Sequence, residues 1–216
     1  MIVELFETDL AEIMDFEKVA FDTAIQANLE TYRQRFRKGH VMLGLRKQGI
    51  QGVISFSYGI FDPNDPFTIP KDFGNWSTQS VPSNYNTAFI YNLGLSPTTR
   101  GTGAIQGLIF AALRRAIVDG CHQVLAEGPV PSYSGTRHVR ANPDIRASLD
   151  AHAAGGAFPD EELLFRDPHL ALYRRICHCR ILRIMPNFLP SDVASGGFRV
   201  MLFRDLQDLT LPDEFA

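Results

Sequence analysis

The stretch LGLSPTTRGTGAIQGLIFAALRRAIVDG, residues 93–120, runs from a short apolar segment through a proline turn and a glycine-rich loop into a long amphipathic segment. Ile105, Leu108, Ile109, Ala112, Leu113, Ala116 and Ile117 recur at steps of three and four, which predicts a helix over 104–118 with one buried face. Gly120 stands where a C-terminal cap belongs. Glycines ahead of such a helix let backbone N–H groups approach a ligand closely, and the helix dipole adds positive potential there. The junction is therefore suited to a phosphate-bearing molecule.

Working outward, MIVELFE (1–7) alternates and reads as a first strand, with Thr8 as the expected cap of a helix through Leu10, Ile13, Met14 and Phe21. ANLETYRQRFRKG (27–39) reads as a second, polar helix closed by Gly39. VMLGLRK and IQGVISFSYGI flank Gln48-Gly49 as the two arms of a hairpin, and TAFIYNLGLS reads as the strand leading into the glycine loop. CHQVLAEG follows the long helix as a short strand. DPHLALYRRI opens a helix with Asp167 as N-cap and Pro168 in its first position, and RILRIMPNF and GFRVMLFRDL close the chain as strands. Between these elements lie two long excursions, 61–85 with four prolines and 128–166 rich in Pro, Gly, Ala and charge. Loops of that length usually carry function or are disordered.

The order β α α β β β α β α β β is a mixed α/β pattern, and 216 residues suit one domain spanning 1–216 with insertions at 61–85 and 128–166. A net charge of −3 provides no global pull toward nucleic acid or an anionic membrane, so neither partner is expected. The N-terminal residues carry acids where a signal peptide needs bases, and no apolar run approaches the roughly 20 residues of a membrane span. Three cysteines suggest no disulfide framework, and a cytoplasmic protein is the expectation.

Several loops bind phosphate. A Walker-type loop needs Lys followed by Ser or Thr, which R-G-T-G-A-I lacks. A dinucleotide fingerprint needs G-x-G-x-x-G, whereas Gly107 follows Gly103 one residue late. A plain tight turn at Gly101 and Gly103 is the remaining alternative. Leu93, Leu95, Pro97, Arg100, Gly101, Gly103 and Leu108 resemble the cofactor motif of the GNAT N-acetyltransferase superfamily, roughly L-x-V-x-P-x-x-R-G-x-G-x-G/A-x-x-L. The resemblance implies a GNAT-like α/β (α+β) fold, a mixed and mostly antiparallel twisted sheet flanked by helices. It also implies acetyl-CoA or another acyl-CoA as co-substrate, with no metal. The pyrophosphate would rest on backbone amides of Arg100, Gly101, Thr102, Gly103, Ala104 and Ile105, and the pantetheine arm on the strand edge at Leu93, Gly94 and Leu95. Ile105 departs from the small residue that closes the family's loop.

A second match lies downstream. DPHLALYRRICHCRIL resembles the family's A-x-x-x-Y-x-x-x-G-F, placing Tyr173 as the proton donor to the departing thiolate, with Cys177 and His178 in place of Gly and Phe. Where many relatives carry a glutamate on the fourth strand, this chain has Phe89, Tyr91 and Asn92. Glu127 is the best-placed base, acting through water, and Tyr91, Asn92 and Tyr133 are the expected acceptor contacts. The implied reaction is acyl transfer to the primary amine of a small molecule, in a monomer or homodimer. A coenzyme A or acyl-carrier binding module without turnover, or a protein lysine acetyltransferase, are the alternatives. Aromatics of the excursions (Phe61, Phe67, Phe73, Trp76, Tyr85, Tyr133, Phe158) are expected to wall an apolar acceptor pocket. Cys177-His178-Cys179 is not expected to bind metal, since an extended chain points His178 away from its neighbours and no partner motif exists.

Overall fold

The computed structural model describes residues 1–62, 64–65 and 68–213. The chain divides into two compact units, Met1–Leu125 with Asp205–Ala216, and Ala126–Arg204.

In the first unit, strands β1 (Ile2–Leu5), β2 (Val41–Lys47), β3 (Gly49–Gly59), β4 (Thr87–Leu95) and the start of β5 (Gln123–Pro129) are neighbours in that order. The pairs β1/β2, β2/β3 and β3/β4 are antiparallel, the second of them a hairpin turning at Gln48-Gly49 as its sequence indicated. β4 and β5 are neighbours in the sheet and are joined through α4 (Ala104–Val118). One face of the ladder is covered by α4, whose Leu108 closes with Leu95 over Gly52. The other face carries α1 (Leu10–Ala20), α2 (Leu29–Arg37) and α3 (Phe73–Thr78). There Ile13, Phe16 and Tyr32 pack with Leu5, Met42 and Val53, and Trp76 lies against Phe89 at 5.0 Å between ring centres.

The capping residues explain where these helices begin. Asn28 accepts the Thr31 N–H at 2.9 Å and starts α2. Thr8 does not cap α1: it sits inside a 3-10 turn, Glu7–Asp9, whose Asp9 carboxylate accepts the Phe6 N–H at 2.8 Å, and α1 begins only at Leu10.

One irregularity in β4 matters for the site. Ser55 pairs with Asn92 and Phe56 with Ile90, so Tyr91 is an extra residue, a β-bulge. Beyond it the alternation shifts by one. Tyr91 and Asn92, neighbours in sequence, both face α2, where a regular strand would turn one of them toward α4.

In the second unit, the end of β5 is followed in space by β7 (Arg199–Asp205) and then β6 (Arg180–Met185), the last two antiparallel. α7 (Pro168–Cys177) buries Leu170, Tyr173, Ile176 and Cys177, and Asp167 caps it by accepting the N–H groups of His169 and Leu170. The chain leaves α7 through His178 in the left-handed conformation, φ 52°, so the Cys177-His178-Cys179 run is a helix terminus and not the extended segment expected.

The excursions also contain helices that the sequence reading left as loops. α3 lies in the first, and α5 (Pro143–Ala153) and α6 (Glu161–Leu164) lie in the second. Two of the aromatics expected to wall a pocket are core residues instead: Trp76 is fully buried and Phe61 is 2% exposed, because both pack the first excursion down. Tyr85 stacks on Tyr58 at 4.6 Å, and Phe158 is exposed beside His152. Phe67 lies outside the described residues.

Candidate active site

Pro97–Thr99 forms a 3-10 turn, after which Gly101 and Gly103 take φ values of 80° and 78°, in the left-handed region that favours glycine. Gly103 is the N-cap of α4, and no side chain caps the helix. The first N–H groups of an α-helix have no partner within it. Among the described residues, no protein acceptor meets the N–H groups of Gly103, Ala104 and Ile105, whereas Gln106 and Gly107 already bond back to the Gly103 carbonyl. A side chain built at Gly101 or Gly103 would meet nothing within 4 Å. The loop is held from below: Thr99 Oγ1 donates to the Gln51 carbonyl at 2.8 Å, and Thr102 Oγ1 donates to the Thr99 carbonyl at 2.7 Å. The exposed Arg100 reaches the carbonyl of Ala20, the last residue of α1, at 3.5 Å. The result is a rigid rim of backbone donors at the positive end of a 15-residue helix, open on its outer side.

Leu93, Gly94 and Leu95 follow the bulge on β4. Gly94 lies under the Phe21 ring, so closely that any side chain there would collide with it. Tyr91 is buried, and its hydroxyl lies 2.9 Å from His40 Nδ1. His40 Nε2 lies 2.7 Å from the Gln79 carbonyl, which can only accept, so Nε2 carries the proton and Tyr91 donates to Nδ1. Burial holds His40 down to about 4, in agreement with a neutral ring, and pushes Tyr91 up to about 12. The Arg35 guanidinium lies over the rings of both Tyr32 and Tyr91, at 5.2 and 4.9 Å.

Asn92 meets a second polar group. Its Nδ2 lies 3.4 Å from the Tyr32 hydroxyl, which in turn lies 2.6 Å from Glu17 Oε2. Glu17 is 2% exposed, and its other carboxylate oxygen accepts the Ala27 N–H at 2.7 Å. Burial raises the Glu17 carboxyl above its ordinary range, against the lowering pull of the Tyr32 and Ala27 hydrogen bonds and the Arg35 charge.

In the second unit, Tyr173 projects from the buried face of α7. Its ring is buried, yet among the described residues its hydroxyl makes no hydrogen bond to the protein. Burial first, and the charge of Glu127 next, hold the phenol far above its ordinary range, so it is a donor at every physiological pH. Glu127, on β5, is ion-paired through Oε2 with Arg199 Nε, and Arg199 Nη1 also meets Asp192 at 2.7 Å. Burial pushes the Glu127 carboxyl up and Arg199 pulls it back. Tyr133 donates to Asp150 Oδ1 at 2.7 Å, with Arg146 over its ring.

No protein-family model matches the chain, and no curated protein matches its sequence. Solved structures do match in three dimensions. The GphF GNAT-like decarboxylase in complex with isobutyryl-CoA is 19% identical, covers 96% of this chain and 100% of its own, and superposes with a TM-score of 0.69. The loading GNATL domain of CurA from Lyngbya majuscula is 17% identical, over 97% and 98% of the two chains, at a TM-score of 0.68. The chain has the GNAT fold. The ribosomal-protein-S18-alanine N-acetyltransferase from Escherichia coli shares this GNAT architecture at 12% identity, over 98% and 99%, with a TM-score of 0.56. The mixed sheet flanked by helices that the resemblance implied is the arrangement found. No helix among the described residues is long and apolar enough to cross a membrane.

On this GNAT scaffold, the sequence reading named the loop and Asn92 but missed Glu17, Tyr32, Arg35 and His40. These lie far from β4 in sequence, and of the two glutamates on α1 only Glu17 is buried, while Glu12 is exposed. The one available signal was an acid on the apolar stripe of α1, at 17, a step of four from Ile13.

Proposed function

We propose that this chain is an acyl-CoA-dependent acyltransferase whose acceptor is the primary amine of a small molecule. The observation that carries this reading is the start of α4, a helix terminus with no side-chain cap and two left-handed glycines, where the N–H groups of Gly103, Ala104 and Ile105 meet no protein acceptor among the described residues. That donor set suits a diphosphate: it holds no carboxylate, and the helix end adds positive potential. The GphF structure, a complex with isobutyryl-CoA, supports the choice of ligand.

A bound thioester supplies an activated acyl carbon. The residues of this chain then have five tasks. The N–H groups from Arg100 to Ile105 hold the diphosphate, and the edge of β4 at Leu93–Leu95 takes the pantetheine arm. Tyr91, Asn92 and Tyr133 are the proposed acceptor contacts. Tyr173, whose hydroxyl has no competing acceptor among the described residues, gives the leaving thiolate its proton. Glu127, whose basicity burial raises, takes the amine's proton through water, with Arg199 holding its orientation.

A second reading, decarboxylation or loading of an acidic acyl thioester, is favoured by the TM-scores of the decarboxylase and the loading domain, both above that of the N-acetyltransferase. Calorimetry with coenzyme A, followed by thiol release from acetyl-CoA across a panel of primary amines, tests the first reading. Saturable binding and amine-dependent release are expected. Absence of coenzyme A binding would remove both readings, and carbon dioxide release from malonyl-CoA without amine-dependent thiol release would establish the second.

A further inference from the structure

We infer that Asn92 presents its amide oxygen, not its nitrogen, to the acceptor, so the acceptor must bring a hydrogen-bond donor (an amine or hydroxyl) and a carboxylate is excluded from that position. This rests on the acyltransferase reading and narrows its substrate class.

The hydroxyl of Tyr32 owns a single proton. Its 2.6 Å contact with Glu17 Oε2 is the shorter of the two it makes with Glu17 and Asn92, and claims that proton. Arg35 over the Tyr32 ring favours the ionised carboxylate, and the Ala27 N–H fills the other carboxylate oxygen. Toward Asn92, therefore, the Tyr32 oxygen offers only a lone pair. The amide must turn Nδ2 to it, and the 3.4 Å Nδ2 to hydroxyl contact has that sense. Reversing the amide would set its oxygen against the Tyr32 oxygen with no proton between them. Oδ1 is left facing away from Tyr32, with no protein donor among the described residues.

The bulge at Tyr91 makes this arrangement possible, because it brings Asn92 to the α2 face beside Tyr91. There the group offered to an incoming molecule is an acceptor backed by the buried Tyr32–Glu17 hydrogen bond. A neutral amine or an alcohol completes the chain of hydrogen bonds with its own N–H or O–H. A malonyl-type carboxylate brings neither and would leave Oδ1 facing another acceptor.

The test compares wild type with Asn92→Ala and Tyr32→Phe, using the best primary amine of the panel, its isosteric carboxylate and malonyl-CoA. Asn92 is half-buried, so Asn92→Ala is expected to fold even if Tyr32→Phe does not. We expect the amine KM to rise about tenfold in Asn92→Ala and by a smaller factor in Tyr32→Phe, as loss of one hydrogen bond to an acceptor predicts. kcat and the coenzyme A dissociation constant stay within about twofold. An unchanged amine KM in Asn92→Ala with coenzyme A binding intact would overturn this inference alone. So would wild-type release of carbon dioxide from malonyl-CoA. A wild type that binds no coenzyme A would bring down the donor reading and this inference together.

Discussion

Replacing Gly103 with alanine, and Gly120 in the same way as its control, separates a ligand-binding role of the loop from a conformational one. The two glycines bracket α4, with φ of 78° and 86°, and a side chain at either meets nothing within 4 Å. Each substitution thus carries the same penalty, a non-glycine residue in the left-handed region, about 1 kcal/mol. For a chain of this size that is a fall in melting temperature of about 2–4 °C. The two ends differ in what they offer a ligand. At Gly103, the helix begins with N–H groups that meet no protein acceptor among the described residues, while the Gly120 N–H is already bonded to the Ile117 carbonyl at 3.0 Å. A methyl group on the rim holds a diphosphate away from its donors, and one charge-assisted hydrogen bond is worth roughly 1.5–3 kcal/mol. Gly103→Ala should therefore weaken coenzyme A binding by roughly 10- to 100-fold in calorimetry. Gly120→Ala should bind as wild type does. Equal affinity in both variants, with equal losses in melting temperature, would refute the assignment of the loop.

Tyr173→Phe should lower kcat about 100-fold with the melting temperature and coenzyme A affinity unchanged, because the ring stays packed and the lost hydroxyl has no hydrogen-bond partner among the described residues; a loss of stability instead would make the hydroxyl structural. Acid should destabilise the fold through His40. Its pKa drops from 6.5 to about 4 on burial, so the unfolded chain binds more protons between those values, and the stability it contributes is complete above 6.5 and lost as pH falls toward 4. The full effect is about 3 kcal/mol, read as the slope of denaturant-derived stability that disappears in His40→Gln. Arg199→Met should cost roughly 3–5 kcal/mol, since it strands the buried Glu127 and leaves Asp192 without its cation; a fall in stability below about 1 kcal/mol would show that the ion pair is dispensable.

The helix α4 was legible because its steps of three and four run unbroken from Ile105 to Ile117, and α7 because Asp167-Pro168 is a strong start signal. The same signal stands at Asn142-Pro143, where Asn142 accepts the N–H groups of Asp144 and Ile145 and Ile145 and Leu149 form the buried side. It was hidden inside a stretch whose Gly, Pro and Ala content reads as loop. The donor loop could be read because its glycines are local. The acceptor side could not, since Glu17, Tyr32 and Asn92 meet only through tertiary packing. Nor could the bulge be read: Ala88, Phe89, Ile90 and Tyr91 are buried without a break, so β4 offers no alternation whose slip would betray an added residue.

That added residue makes β4 two half-strands of opposite phase. Upstream of it the even-numbered side chains, Ala88 and Ile90, share the face of Phe56; downstream the odd-numbered ones, Leu93 and Leu95, do. Substitutions chosen by counting in twos along the strand would therefore be correct on one side of position 91 and inverted on the other. The chain can tolerate a polar residue at 92 and must keep apolar ones at 93 and 95 because of this single offset.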